Sequence, residues 1–204
     1  MTALRFPTDH LLPPAEQTTR TVAWWGMVLL CATEAALFAY LIGSYFYLAA
    51  QNPGWPPAGT ETPKLAKPII MTVILLSSSA VLIWGERGIK RGDRARLRLG
   101  VWLAFLLGAV FLVLQYTEYR TKLRHFGPSS HAYGAEFFTV TGFHGAHVLM
   151  GLAILAFTGL RALLGHFSQE RHEGVQVSSL YWHFVDVVWL FVFTSLYITP
   201  FFTR

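Results

Sequence analysis

Apolar residues fall in five long runs, at about 24–48, 67–86, 98–118, 136–161 and 179–202. Each is close to the roughly 20 residues that an α-helix needs to cross a hydrocarbon layer about 30 Å thick. The pattern predicts an all-α polytopic membrane bundle of five transmembrane helices, forming a single membrane domain over residues 1–204 that opens with a polar segment, 1–22. Aromatic residues stand at many of the run ends: Trp24 and Trp25, Tyr45 and Tyr47, Trp84, Trp102, Tyr116 and Tyr119, Tyr181 and Trp182, and Tyr197. Amphipathic rings suit the headgroup level of a bilayer, so these residues read as interface anchors. Asn52 to Pro57 (N-P-G-W-P-P) forms a turn-rich stop between the first two runs.

Composition sharpens this picture. The chain is 53% hydrophobic, 15% aromatic and 13% charged, about half the ~25% charged fraction of a soluble chain, which excludes a single soluble core. One cysteine, Cys31, lies inside the first run, so no disulfide framework and no cysteine-based metal or iron–sulfur site can be built from this chain. The net charge is +5, but the cations sit mostly in short segments between the runs. They read as topology signals and not as a nucleic-acid footprint.

The densest cation group is Arg87, Lys90, Arg91, Arg94, Arg96 and Arg98. With a cytoplasmic N-terminus, these six join Arg5, Arg20, Arg161 and Arg171 to make ten inside; Lys64, Lys67, Arg120, Lys122, Arg124 and Arg204 make six outside. Five crossings then place the N-terminus inside and the C-terminus outside. The first residues mix Pro, Asp, Glu and Thr, and no removable signal peptide is expected there. No internal repeat of the transporter kind is visible.

Polar groups within the runs are the candidates for chemistry. Glu34 lies near mid-bilayer, where an ionised carboxylate costs about 2.5–3.5 kcal/mol even on the lenient insertion scale. At about 100° per residue, Ala32, Ala35, Ala36, Ala39 and Gly43 gather on one face, a small-residue stripe suited to close helix packing. Glu34 points roughly opposite, towards a second helix, a cavity or a lipid cleft. In the fourth run G-F-H-G-A-H (Gly142 to His147) sets His144 and His147 three residues apart on one helical surface. A metal or haem site needs more ligands than this pair supplies. His147 and Glu34 sit at similar depth, which allows a pair between them.

The fifth run opens Y-W-H-F-V-D-V-V-W-L (Tyr181 to Leu190), and Ser179, His183, Asp186, Thr194 and Tyr197 fall along one side. That seam reads either as a proton path or as an interhelical hydrogen-bond network, with His183 the nearest partner for Asp186. Glu118 and Arg161 are charges at run ends, within reach of water or headgroups. A lipid phosphate is a natural counter-ion for the Arg161 guanidinium. There is no Gly-rich phosphate loop, no nucleophile with a placed His, and no Cys-X-X-Cys-His.

G-F-H-G-A-H together with Y-W-H-F-V-D-V-V-W-L resembles subunit III of the haem–copper oxidases, the cytochrome c oxidase subunit 3 family. The likeness extends through W-G-M-V-L-L-C-A-T-E (Trp25 to Glu34), G-W-P-P (Gly54 to Pro57), I-L-L-S-S-S (Ile74 to Ser79), L-Q-Y-T-E-Y (Leu114 to Tyr119) and Y-G-A-E-F-F (Tyr133 to Phe138). It implies the five-helix bacterial form of a family whose longer members have seven, in a bacterial inner membrane. It also implies a non-catalytic core subunit that binds no haem or copper, packs against oxidase subunit I beside subunit II and the other subunits, holds phospholipid and supports proton uptake. By the same resemblance Glu34, His147 and Arg161 are lipid-cleft residues, while His144, His183 and Asp186 belong to a structural polar network. Where many members carry an acid before the last span, this chain has Gln176. Related readings are subunit III of a quinol oxidase or a nitric oxide reductase accessory protein; a small transporter and a membrane cytochrome b are the readings from other classes.

Overall fold

The computed structural model describes residues 20–52, 54–57 and 65–202. The polar segment through residue 19, with Arg5, lies outside the described residues, as do Pro53, Lys64 and Arg204. Five helices follow one another: α1 (Val22–Gln51), α2 (Ala66–Ile89), α3 (Arg94–Lys122), α4 (Ala132–Leu163) and α5 (Glu173–Phe193). A π-turn, Thr194–Ile198, and a 3-10 turn, Thr199–Phe201, continue α5. All five helices are long and apolar enough to cross a membrane, and among the described residues there is no strand.

Helix ends are set by chemistry that hydropathy does not register. The side chains of Thr21, Asp93 and His131 accept hydrogen bonds from the amides of Trp24, Arg96 and Gly134 at the starts of α1, α3 and α4. Each satisfies an amide that the first helical turn leaves open. At the start of α5 the difference alters two assignments: the helix begins at Glu173, so Tyr181 and Trp182 lie about two turns inside it and not at its lip. Trp182 is fully buried. Its indole Nε1 donates to Ser78 Oγ at 2.9 Å, and its ring fills the space left by Gly108 of α3 and Gly151 of α4, where a Cβ would come within 2.5 and 2.8 Å. Tyr45 and Tyr197 are buried as well; Trp25, Tyr47, Trp84 and Tyr116 keep the outward exposure expected of interface anchors.

The bundle is tightest between α2 and α3, where a Cβ on Gly100 would meet the Gly85 Cα at 2.7 Å. α1 stands at the edge: only 6% of its most apolar stretch is buried, against 33–50% in the other four helices. The small-residue stripe expected to make a close contact faces away from the bundle. Ala32, Ala35, Ala36, Ala39 and Gly43 are all exposed, with nothing within 4 Å of a Cβ on Gly43. The opposite face, with Phe38 and Tyr45 buried and Glu34 between them and the N-terminus, packs on α4 and α5. In lipid no solvent drives apolar faces together, so the face with larger rings and a hydrogen-bonding partner wins by dispersion and polar contact.

Candidate functional site

α1 and α4 run antiparallel and bring Glu34 against His147. Glu34 Oε2 lies 3.0 Å from His147 Nε2, with the two side chains 29% and 15% exposed. The other ring nitrogen fixes the chemistry, because Nδ1 lies 2.7 Å from the Phe143 carbonyl oxygen, an acceptor only, so Nδ1 carries a hydrogen. A bond between Nε2 and Oε2 then requires one further proton, held by either atom. Whichever holds it, the pair is neutral as a unit, which is how an acid and an imidazole are accommodated at this depth. Phe38 lies edge-on to the His147 ring at 5.0 Å.

The pair opens onto a cavity of about 350 Å³ lined by Leu30, Glu34, His147, Met150, Ile154 and Tyr181. Ile154 also lines a second cavity of about 410 Å³ that continues down α4 past Phe157 and Thr158 to Arg161. Arg161, Phe167, Gly174 and Val177 are in turn shared with a third, of about 970 Å³, which adds the charged residues Glu170, Arg171 and Glu173. Through these shared lining residues the three follow one another along α4 from Arg161 to His147. Fourteen residues of α4 separate those positions, about 21 Å at the ~1.5 Å rise of an α-helix.

At the charged end, the Arg161 guanidinium lies against the rings of Phe167 and Phe157, at 5.2 and 5.7 Å. It makes no ion pair among the described residues. Glu170 stands beside it in the loop before α5, where its own backbone amide and then the Ser168 hydroxyl hold its carboxyl below the usual carboxylate range. Thr21 at the start of α1 hydrogen-bonds to Glu173 and ties that helix over the same end.

The remaining expected residues separate. His144 faces the bundle centre, fully buried between the rings of Trp189, Phe111 and Phe38, and neither ring nitrogen has a hydrogen-bond partner among the described residues. It therefore joins no polar network; aromatic packing holds it. His183 does not pair with Asp186. Its Nδ1 meets Ser79 Oγ of α2 at 2.7 Å and its Nε2 meets Ser179 Oγ at 3.0 Å. Asp186 is buried, and among the described residues the polar group nearest its carboxyl is the Ser79 side chain, beyond good hydrogen-bond geometry. The imidazole is taken up by one hydroxyl of α2 and one a turn earlier on α5, which leaves no ring nitrogen for the carboxyl. Glu118, an interfacial charge for which a structural role is the expectation, is buried and ion-paired to Lys67 Nζ at 3.3 Å. Sequence reasoning gave no role to Glu136, whose Oε1 lies 2.9 Å from Ser44 Oγ; an acid at the first position of the fourth apolar run was the available signal. Among the described residues, no group of three or more His, Cys, Asp or Glu could hold a metal ion.

The fold and the row of cavities define a multi-pass helical membrane protein with a mid-membrane carboxyl–imidazole pair and a basic residue at the other end of an apolar groove. Comparison with known proteins makes this specific. Residues 15–200 match the family described as cytochrome c oxidase subunit III. The chain is 39% identical over 174 residues to cytochrome c oxidase subunit 3 of Thermostichus vulcanus, covering 85% of each chain. It is 36% identical over 194 residues to the subunit 3 of Oncorhynchus mykiss and 34% to that of Homo sapiens, covering 92% of this chain and 72% of each relative. The chain belongs to the cytochrome c oxidase subunit III family.

Proposed function

We propose that the chain is the non-catalytic subunit III of a respiratory haem–copper oxidase in a bacterial inner membrane, bracing subunit I, holding a phospholipid and supporting proton uptake during oxygen reduction. The redox centres belong to the partner subunits. The observation that carries the lipid reading is the row of cavities along α4, with the Arg161 guanidinium, which makes no ion pair among the described residues, at one end and the Glu34–His147 pair at the other. Its length of about 21 Å exceeds one leaflet of hydrocarbon, about 15 Å, so a headgroup phosphate at Arg161 leaves an acyl chain running to the pair. Arginine grips phosphate through two parallel N–H donors, while Glu170 and Glu173 beside it suit the amine of a zwitterionic headgroup. Bound this way, lipid fills a groove that would otherwise admit water beside subunit I.

The test is activity over repeated turnovers of the purified oxidase with Glu34→Ala, His147→Ala and Arg161→Ala, alongside mass spectrometry of co-purifying phospholipid. Arg161→Ala is expected to lose lipid and all three to inactivate faster than wild type. Decay and lipid content identical to wild type in all three would remove the groove from any protective role.

A further inference from the structure

α1 is held to its neighbours by few polar contacts, and two of them lie on the same seam with α4. Glu34 meets His147, and Ser44 meets Glu136. The contacts are ten residues apart on α1 (34 to 44) and eleven apart on α4 (136 to 147), about 15–17 Å along either axis. They therefore belong to one antiparallel register, which a slip of one turn would break at both ends. One contact fixes a point and leaves the two axes free to pivot; a second fixes their separation and their angle. The third tie of α1, from Thr21 to Glu173, runs to α5 and leaves the angle to α4 open. With so little of α1 buried, dispersion alone is a weak restraint.

We propose that Glu136 is a positioning residue: through Ser44 it clamps the second half of α1 onto α4 and so sets the width of the groove and the reach of Glu34 to His147. The consequence for lipid rests on the groove reading above, whereas the clamp itself does not. Ser44 Oγ also lies 2.8 Å from the Leu41 carbonyl oxygen, and its single hydrogen serves only one of the two acceptors. A donor at position 136 lets Ser44 keep both contacts, and a glutamine amide supplies one; a leucine supplies none.

The test uses the purified oxidase with spin labels on p-acetylphenylalanine at positions 47 and 139, both exposed, which leaves native cysteines untouched. Glu136→Gln is expected to keep the wild-type interspin distance. Glu136→Leu and Ser44→Ala are expected to broaden it and lengthen its mean by more than about 2 Å relative to wild type, more than the ~2 Å range over which the axes of packed helices vary. Unchanged distances in both variants would overturn the clamp, and Ser44→Ala decides alone if Glu136→Leu fails to assemble. Lengthened distances support it whatever happens to lipid; if bound phospholipid then stays at the wild-type level, the lipid reading of the groove fails while the clamp stands.

Discussion

At the scale of single residues, the Glu34–His147 contact is a proton-sharing unit, and its two members are not equivalent. Because Nδ1 of His147 donates to the Phe143 carbonyl, Nε2 can accept from a neutral amide as well as from an acid. Glu34→Gln should therefore preserve the contact and leave thermal dissociation of the oxidase near wild type. His147→Leu should lower stability by about 1–3 kcal/mol, the cost of an acid left without its hydrogen-bond partner. A melting series on the two variants checks this; equal losses would show that the pair contributes only as volume. Glycines give a second contrast. Gly100→Ala forces a Cβ to 2.7 Å from the backbone of Gly85 and should cost about 1–3 kcal/mol through overpacking. Gly43→Ala, with open space around it, should leave the fold of the chain unchanged by the same melt.

At the scale of helices, polar groups within the spans were legible from the sequence, but their partners were not. A carboxylate or an imidazole in an apolar run announces itself, and Glu34 with His147 came together as depth alone suggested. Which face of a helix packs inward is a different question. In a soluble protein water marks the outer face, and amphipathicity reports it; in a bilayer both faces are apolar, so nothing in the hydropathy corrected the assignment of the contact to the alanine stripe of α1. The same blindness separated His183 from Asp186. Two serines, Ser79 and Ser179, take up the imidazole, and hydroxyls in a helix give little hydropathy signal. The seam between α2 and α5 then makes its own prediction. Among the described residues Asp186 has no cation within ion-pair distance, and an asparagine can take up the same Ser79 side chain, so Asp186→Asn should assemble and retain oxidase turnover. Removing His183 breaks its bond to Ser79 across the seam and a second to Ser179 within α5, and His183→Leu should reduce the yield of assembled complex. Activity and subunit content of the purified oxidases separate the two outcomes.

For the whole molecule, the arrangement of charge about the bundle decides how it sits in the membrane. The α2–α3 turn carries Lys90 and Arg91 beside Arg87 and Arg94, and lies at the same end as the Arg161 and Arg171 cluster; Gln169 of the α4–α5 loop comes within 3.7 Å of a Cβ built on Gly92. The opposite end gathers aromatic rings, with Trp55 packed between Tyr45 and Tyr133, and holds fewer cations: Lys67, ion-paired to Glu118, with Arg120, Lys122 and Arg124. Cations retained on one side set orientation because translocating them against the membrane potential is costly, about 2.3 kcal/mol per charge at 100 mV. The basic end should therefore face the cytoplasm. Cysteines at two exposed loop positions, Arg91→Cys and Ser129→Cys, test this in a Cys31→Ser background with a membrane-impermeant thiol reagent. In intact cells Ser129→Cys should label and Arg91→Cys should not, and inside-out vesicles should reverse the pattern. The opposite result would place the headgroup at Arg161 in the outer leaflet, and the groove could then have no part in proton uptake from the cytoplasm, because its charged mouth would open on the side to which protons are delivered.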